Sequence, residues 1–187
     1  HGFINVGGDK ISKTIGNVIA PDELTKKYGI DPVRYHFLRE FPYSDDGDFT
    51  YGKFEERYNA DLAKGLGNLV SRVLTLAEES DIKIIEAFSS EIKEAEKNVK
   101  KFICEFKFSE ALSAIWRLIA LGDKYVDEKK PWTLKSGSKE FESIIGSLLF
   151  LIFEISRLLI PFLPETSEKI SKLIKNKKSA ILFPQLK

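Results

Sequence analysis

Phe141–Ile160 reads Phe-Glu-Ser-Ile-Ile-Gly-Ser-Leu-Leu-Phe-Leu-Ile-Phe-Glu-Ile-Ser-Arg-Leu-Leu-Ile. Wound at about 3.6 residues per turn, Ile144, Ile145, Leu148, Leu149, Leu151, Ile152, Phe153, Ile155, Leu158 and Leu159 point in almost every direction. A helix with so little polar surface belongs at the centre of a bundle. Pro161 and Pro164 stop it. Helical periods flank it on both sides. Glu110–Glu128 carries the stripe Ala111, Ile115, Leu118, Gly122 and Val126, and Glu165–Ile174 is amphipathic. A helix capped by Ser89 or Ser90 is expected to run to about Phe106, its outer face solvated by Glu91, Lys93, Glu94, Glu96, Lys97, Lys100 and Lys101. Tyr51–Ser80 reads as one long opening helix, and Ile181–Pro184 as a short extended tail. The pattern predicts a mainly α fold: a helical bundle over residues 51–187, preceded by a small α/β piece over residues 1–50.

Composition narrows the function classes. The chain has 187 residues, 43% apolar and 30% charged, with 29 basic against 28 acidic side chains and a net charge of +1. That balance excludes a strongly basic, sequence-independent nucleic-acid binder, so a phosphate-bearing partner must meet a local patch. One cysteine and two histidines exclude an internal disulfide and a cysteine- or histidine-rich metal site. Cys104, among Phe102, Ile103 and Phe106, is expected in the core. The longest apolar run near the C-terminus, Leu148–Phe153, is six residues, far short of the ~20 that span a bilayer. A cytoplasmic protein without membrane association is expected. Methionine is absent, even at position 1, as expected for a piece of a longer chain.

The front of the chain carries a cationic loop. Phe3, Ile4 and Val6 are strand-like, Gly7-Gly8 stops them, and Asp9-Lys10-Ile11-Ser12-Lys13-Thr14-Ile15-Gly16-Asn17 follows. Lys10 and Lys13, with Ser12, Thr14 and Gly16, offer point charges and hydroxyl and amide donors suited to a polyphosphate. An exposed lysine loop with no ligand fits the composition equally, and the P-loop spacing is missing. Pro21–Gly29 reads as a short helix, and Asp31 as the N-cap of a second one over Val33–Glu40. The acidic turn Tyr43–Phe49 lacks the full ladder of a calcium loop, so it is not assigned a metal.

Within Tyr58–Arg72, Leu62, Leu66, Leu69, Val73 and Ala77 recur at helical spacing. At about 100° per residue Asp61, Gly65, Asn68 and Arg72 fall in one polar sector. Asn68 and Arg72 are neighbours at i and i+4, an amide beside a guanidinium, which suits a nucleobase edge. Idle solvation of an exposed face is the alternative. Trp132 follows Pro131 at a helix end beside Lys129 and Lys130, either as a platform for stacking an unpaired base or as a plug for the bundle. Trp116, inside a helix, is expected in the core.

Taken together these pieces resemble a known family. Lys10-Ile11-Ser12-Lys13-Thr14 is similar to the KMSKS signature of class I aminoacyl-tRNA synthetases, with Ile11 for methionine and Thr14 for the final serine. Gly29–Glu40, Asp46–Phe49, Arg57–Ala63, Leu66–Arg72, Tyr125 with Lys130-Pro131-Trp132, and Leu159–Thr166 look like methionyl-tRNA synthetases. The resemblance implies that residues 1–50 are the end of a catalytic domain plus a stem-contact region, and residues 51–187 an anticodon-binding domain. It implies that Lys10, Ser12 and Lys13 bind ATP, used with Mg2+, and that Lys10 and Lys13 assist methionyl-adenylate formation. It implies that Asn68 and Arg72 read the CAU anticodon of initiator and elongator methionine tRNA and that Trp132 stacks on an anticodon base. The family's HIGH signature, methionine pocket and zinc-bearing insert lie upstream of these residues. The chain alone is therefore expected to hold no cofactor tightly, to bind no DNA, and not to aminoacylate. A Leu-, Ile- or Val-type synthetase is the alternative within the class, against which Asn68, Arg72 and Pro131-Trp132 argue. A non-catalytic helical tRNA-binding module is the alternative outside it.

Overall fold

The structure is a computed structural model that describes residues 2–10, 19–41, 45–78 and 82–186. A short hairpin opens the chain. Strands β1 (Ile4–Val6) and β2 (Asp9–Lys10) pair antiparallel across Gly7 and Gly8, both at positive φ. Glycine takes that conformation without a Cβ clash, which is why Gly7-Gly8 ends the run. Strand β3 (Gly47–Phe49) adds in parallel to β1, with Asn5 opposite Asp48, giving the order β2-β1-β3. The acidic turn serves this sheet. Asp46 accepts from the Phe3 N–H at 2.7 Å, and Asp48 from the Gly8 N–H at 2.8 Å and Lys53 at 3.0 Å.

Helices α1 (Pro21–Tyr28) and α2 (Ile30–Glu40) lie between β2 and β3 in sequence, and α3 (Tyr51–Arg57) follows β3. The bundle consists of α4 (Asn68–Ala77), α5 (Ser89–Cys104), α6 (Phe108–Lys129), α7 (Lys139–Leu159) and α8 (Pro164–Asn176). Helix α7 is central, as its pattern predicts. Phe141, Ile145, Leu148, Leu151, Ile152, Ile155 and Leu159 are buried, and α4, α5, α6 and α8 all touch it. Ser147 and Ser156 are buried too, their hydroxyls donating to the carbonyls of Ser143 and Phe153 in their own helix.

Gly146 lets a second layer form on α7. The segment after α4 crosses the helix there, with the Ile85 N–H donating to the Gly146 carbonyl at 3.1 Å. A Cβ on Gly146 would sit 2.4 Å from the Lys83 carbonyl oxygen and 2.9 Å from Ile85. Backbone cannot yield as a side-chain tip can. Gly146→Ala should therefore lower stability by about 1–3 kcal/mol, read as a lower urea midpoint at unchanged slope.

Several local expectations differ from the structure. Asp31 is not the cap of its own helix, which starts at Ile30 after Gly29 at φ 90°. Its buried carboxylate instead accepts from the Thr166 N–H at 2.6 Å, capping α8 from across the molecule. Neither Ser89 nor Ser90 caps α5. Their hydroxyls go to Glu86 and Glu91, and Phe88 enters the helix in the left-handed conformation. Cys104 is exposed, because the last turn of α5 swings that position outward. Trp116 is half-buried, stacked on Tyr35 at 4.6 Å.

The expected long opening helix is helical from Tyr51 to Ala77, its last two residues lying outside the described ones, but Tyr58–Gly67 is wound as a π-helix between α3 and α4. Its wider turn, closed by i→i+5 bonds, changes the angular bookkeeping. Asp61, Gly65, Asn68 and Arg72 therefore do not share one sector. Asp61 accepts from the Tyr35 hydroxyl at 2.6 Å and pairs with Arg57 at 3.3 Å, Gly65 faces the Trp116 indole, and only Asn68 and Arg72 stay near solvent.

Candidate nucleic-acid interface

Pro131 fixes the geometry at this end of the bundle. Helix α6 stops at Lys129, Lys130 adopts φ 43°, and Pro131–Thr133 forms one 3-10 turn closed by the Thr133 hydroxyl on the Lys130 carbonyl at 2.8 Å. Proline can start such a turn but cannot extend α6. The turn buries Pro131 and turns Trp132 outward, with 53% of it exposed. The indole therefore does not plug the bundle.

Arg72 reaches this indole from α4. Its guanidinium carbon is 5.7 Å from the Trp132 ring centroid, within the reach of a cation–π contact. The same guanidinium is held from below by α6, with Asp127 at 2.8 Å and Asp123 at 3.8 Å. Asp123 is the more buried of the two, and burial pushes its carboxyl up to about 6 despite the opposing Arg72 charge, with Asp127 adding to the rise. Lys129 lies over the Tyr125 ring at 5.8 Å, adding a cation close by. Asn68 opens α4 one turn before Arg72 and is exposed. The arrangement offers an exposed aromatic side chain, a planar donor fork beside it and an amide one turn away. Those are the elements that grip an unstacked base by its face and its edge.

Of the candidate residues, Arg72 and Trp132 are brought together and Asn68 lies one turn along the same helix. Lys10 ends β2, exposed, its ammonium 4.5 Å from the Phe3 ring centroid. Ser12 and Lys13, with Thr14 and Gly16, lie outside the described residues. Asp123 and Asp127 are absent from the sequence reading. Their i and i+4 spacing beside the apolar stripe of α6 was the available signal, but nothing local pairs it with a residue of α4.

Residues 86–187 match the family model for the anticodon-binding domain of tRNA ligases. The chain belongs to that family. In this tRNA ligase chain, residues 1–74 match a second model, tRNA synthetases class I (M). It is similar to the methionine–tRNA ligase of Fusobacterium nucleatum, 37% identical over 91% of this chain and 29% of that protein. It is 39% identical to the methionine–tRNA ligase of Bacillus subtilis over 91% of this chain and 28% of that one. The methionyl-tRNA synthetase of Mycobacterium tuberculosis, solved in complex with methionyl-adenylate, superposes with a TM-score of 0.78 at 31% identity, covering 92% of this chain and 37% of that one. The chain thus spans less than a third of the length of the curated relatives it matches. Among the described residues no helix is long and apolar enough to cross a membrane.

Proposed function

We propose that this chain is the anticodon-reading part of a methionine–tRNA ligase, with residues 1–50 as the end of the catalytic domain and the stem-contact region and residues 51–187 as the reader. Trp132 stacks on one base of the CAU loop while Arg72 and Asn68 address base edges, in both initiator and elongator tRNA. The observation that carries this reading is the exposed Trp132 indole with the Arg72 guanidinium beside it. Neither side chain is buried: Trp132 is turned outward by the turn that Pro131 starts, and Arg72 is held by the carboxylates of Asp127 and Asp123 on α6. Lys10, at the exposed end of β2, fits a contact to the ATP phosphates, with Ser12 and Lys13 in the loop that follows. ATP, used with Mg2+, would supply a phosphoanhydride whose α–β bond breaks as the methionine carboxylate bonds to the α-phosphorus and pyrophosphate leaves. The lysines neutralise charge on the departing pyrophosphate while methionine bound by upstream sequence is activated. The reader works in the cytoplasm as part of the whole ligase.

The direct test is anticodon exchange. In a mobility-shift titration of the chain, CAU-to-GAU tRNA should bind more weakly than the parent, because a site that pairs with base edges leaves its own groups unpaired on the wrong base. Equal affinity for both sinks the readout. A second result follows from the indole's exposure. Trp132→Ala should weaken tRNA binding by roughly 1–3 kcal/mol, the range for losing one stacked base, while the melting temperature stays put.

A further inference from the structure

A groove opens one turn from Arg72, on the other side of Asn68. It holds about 340 Å³ and is lined by Ala63, Lys64 and Asn68 of the helix and by Phe183 and Gln185 of the tail. The tail is strapped onto the π-helical segment. Asn59 uses both ends of its amide, accepting from the Leu186 N–H at 2.8 Å and donating to the Leu186 carbonyl at 3.1 Å. Phe183 is buried edge-on to Tyr58 at 6.0 Å and against Gly67. Gln185 lies between these two anchors and is exposed, so the backbone that carries it is fixed while its amide is left to solvent.

Lys64, Asn68 and Gln185 are all exposed, and among the described residues none of their side chains has a hydrogen-bonding or ionic partner. Elsewhere on this helix polar groups are engaged: Arg57 with Glu40 and Asp61, Asn59 with Leu186, Arg72 with Asp127. Asn68 and Gln185 line one groove, and each amide presents a donor and an acceptor in a plane, which is what a base edge needs. A lysine at the rim is a point charge for a phosphate. The buried Phe183 gives the groove an apolar wall.

We propose that the tail is folded back to build a second nucleotide seat, in which Gln185 and Asn68 hold the edge of an unpaired base and Lys64 its phosphate. This deepens the anticodon reading above and rests on it. The occupant is the loop nucleotide adjacent to the one on Trp132, since Asn68 and Arg72 are one turn apart on α4.

The test uses the whole chain and a fluorescently labelled RNA stem-loop carrying CAU, read by anisotropy. Gln185→Ala and Lys64→Ala should each weaken binding about 5- to 10-fold, the equivalent of one lost hydrogen bond or charge contact, at unchanged melting temperature. Asn59→Ala, which frees the strap, should cost at least as much. Loop bases are then removed one at a time, and at one position the Gln185→Ala penalty should vanish, which a purely structural tail would not produce. Affinity unchanged in Gln185→Ala and Lys64→Ala but lowered in Trp132→Ala overturns the second seat and spares the anticodon reading, as does a Gln185→Ala penalty that persists at every position. Failure of the unaltered chain to bind the stem-loop, or binding indifferent to Trp132→Ala and Arg72→Ala together, removes the anticodon reading and this proposal with it.

Discussion

Acidification from pH 6.5 to pH 4 should cost this chain stability through its buried histidine, His36. Its ring is buried among Phe37, Phe41, Phe49 and Phe54, and neither nitrogen has a hydrogen-bond partner among the described residues. Burial lowers the imidazole from its ordinary value of 6.5 to about 4, with Arg57 and Lys53 pushing the same way and Glu40 opposing. The unfolded chain takes up this proton below about pH 6.5, whereas the folded chain resists until about pH 4. Stability from this group is therefore complete above the unfolded value and is lost as pH falls between the two. The full window is worth about 3 kcal/mol, of which about 2 is gone by pH 5. Asp123 runs in the opposite direction. Its folded value is raised to about 6, so acidification relieves an unfavourable buried charge there. The two effects separate by mutation: between pH 7 and pH 5 the urea midpoint of the parent should fall further than that of His36→Phe, which has no imidazole to protonate and keeps Asp123. Midpoints that fall in parallel would acquit His36.

Asp31→Ala should be among the most damaging single changes. Asp31 is only 2% exposed, and its carboxylate holds the Thr166 N–H, one of the amides that a helix N-terminus leaves without an internal partner. Three residues on, Arg34 donates from Nε to the Phe162 carbonyl at 2.8 Å and from a terminal nitrogen to the Pro161 carbonyl at 3.0 Å. One helix thus caps the start of α8 and the turn that ends α7. A charge-assisted bond to a buried amide is worth about 1.5–3 kcal/mol, and a buried amide left without its partner costs about 1–3 kcal/mol. Asp31→Ala should lower stability by about 3 kcal/mol, Arg34→Ala by about 2, and hydrogen exchange should show the loss first in the opening turn of α8. A purely global loss, with no local opening at Thr166, would mean that the cap is incidental.

Helix α7 was legible because apolar residues in every direction have one physical outcome, burial from all sides. The bundle around it followed from the one-sided stripes of its neighbours. The small sheet was only half legible. Phe3, Ile4 and Val6 announce β1, but β3 is three residues long and stands because Asp46 and Asp48 tie it to β1 and the hairpin. The π-helical stretch could not be read, since leucines at steps of four and three suit a wide turn as well as a normal one. Asp31 was misread because a cap looks local in sequence although its partner lies 135 residues away. Cys104 misled in the same way: its sequence neighbours are apolar, yet its direction is set by where α5 ends. At the site, Pro131 made the exposure of Trp132 a readable alternative, and the i, i+4 spacing made Asn68 and Arg72 a readable pair. The hold of Asp127 on Arg72 spans 55 residues and needed the packing of α4 on α6. Gln185 sits in a tail whose position depends on Asn59, 127 residues from Leu186, so no local pattern points to it.

The two anchors on α2 also say something about mechanics. Asp31 and Arg34 are about one turn apart and hold different elements of the bundle. A single fastening lets two bodies swivel about it, whereas two fastenings in a row resist twisting as well as pulling. Helix α2 therefore works as a splint, fixing the angle between the strand-bearing front and the helices behind it. A movement imposed on one end of the molecule then arrives at the other as a rotation of the whole rather than as a bend in the middle.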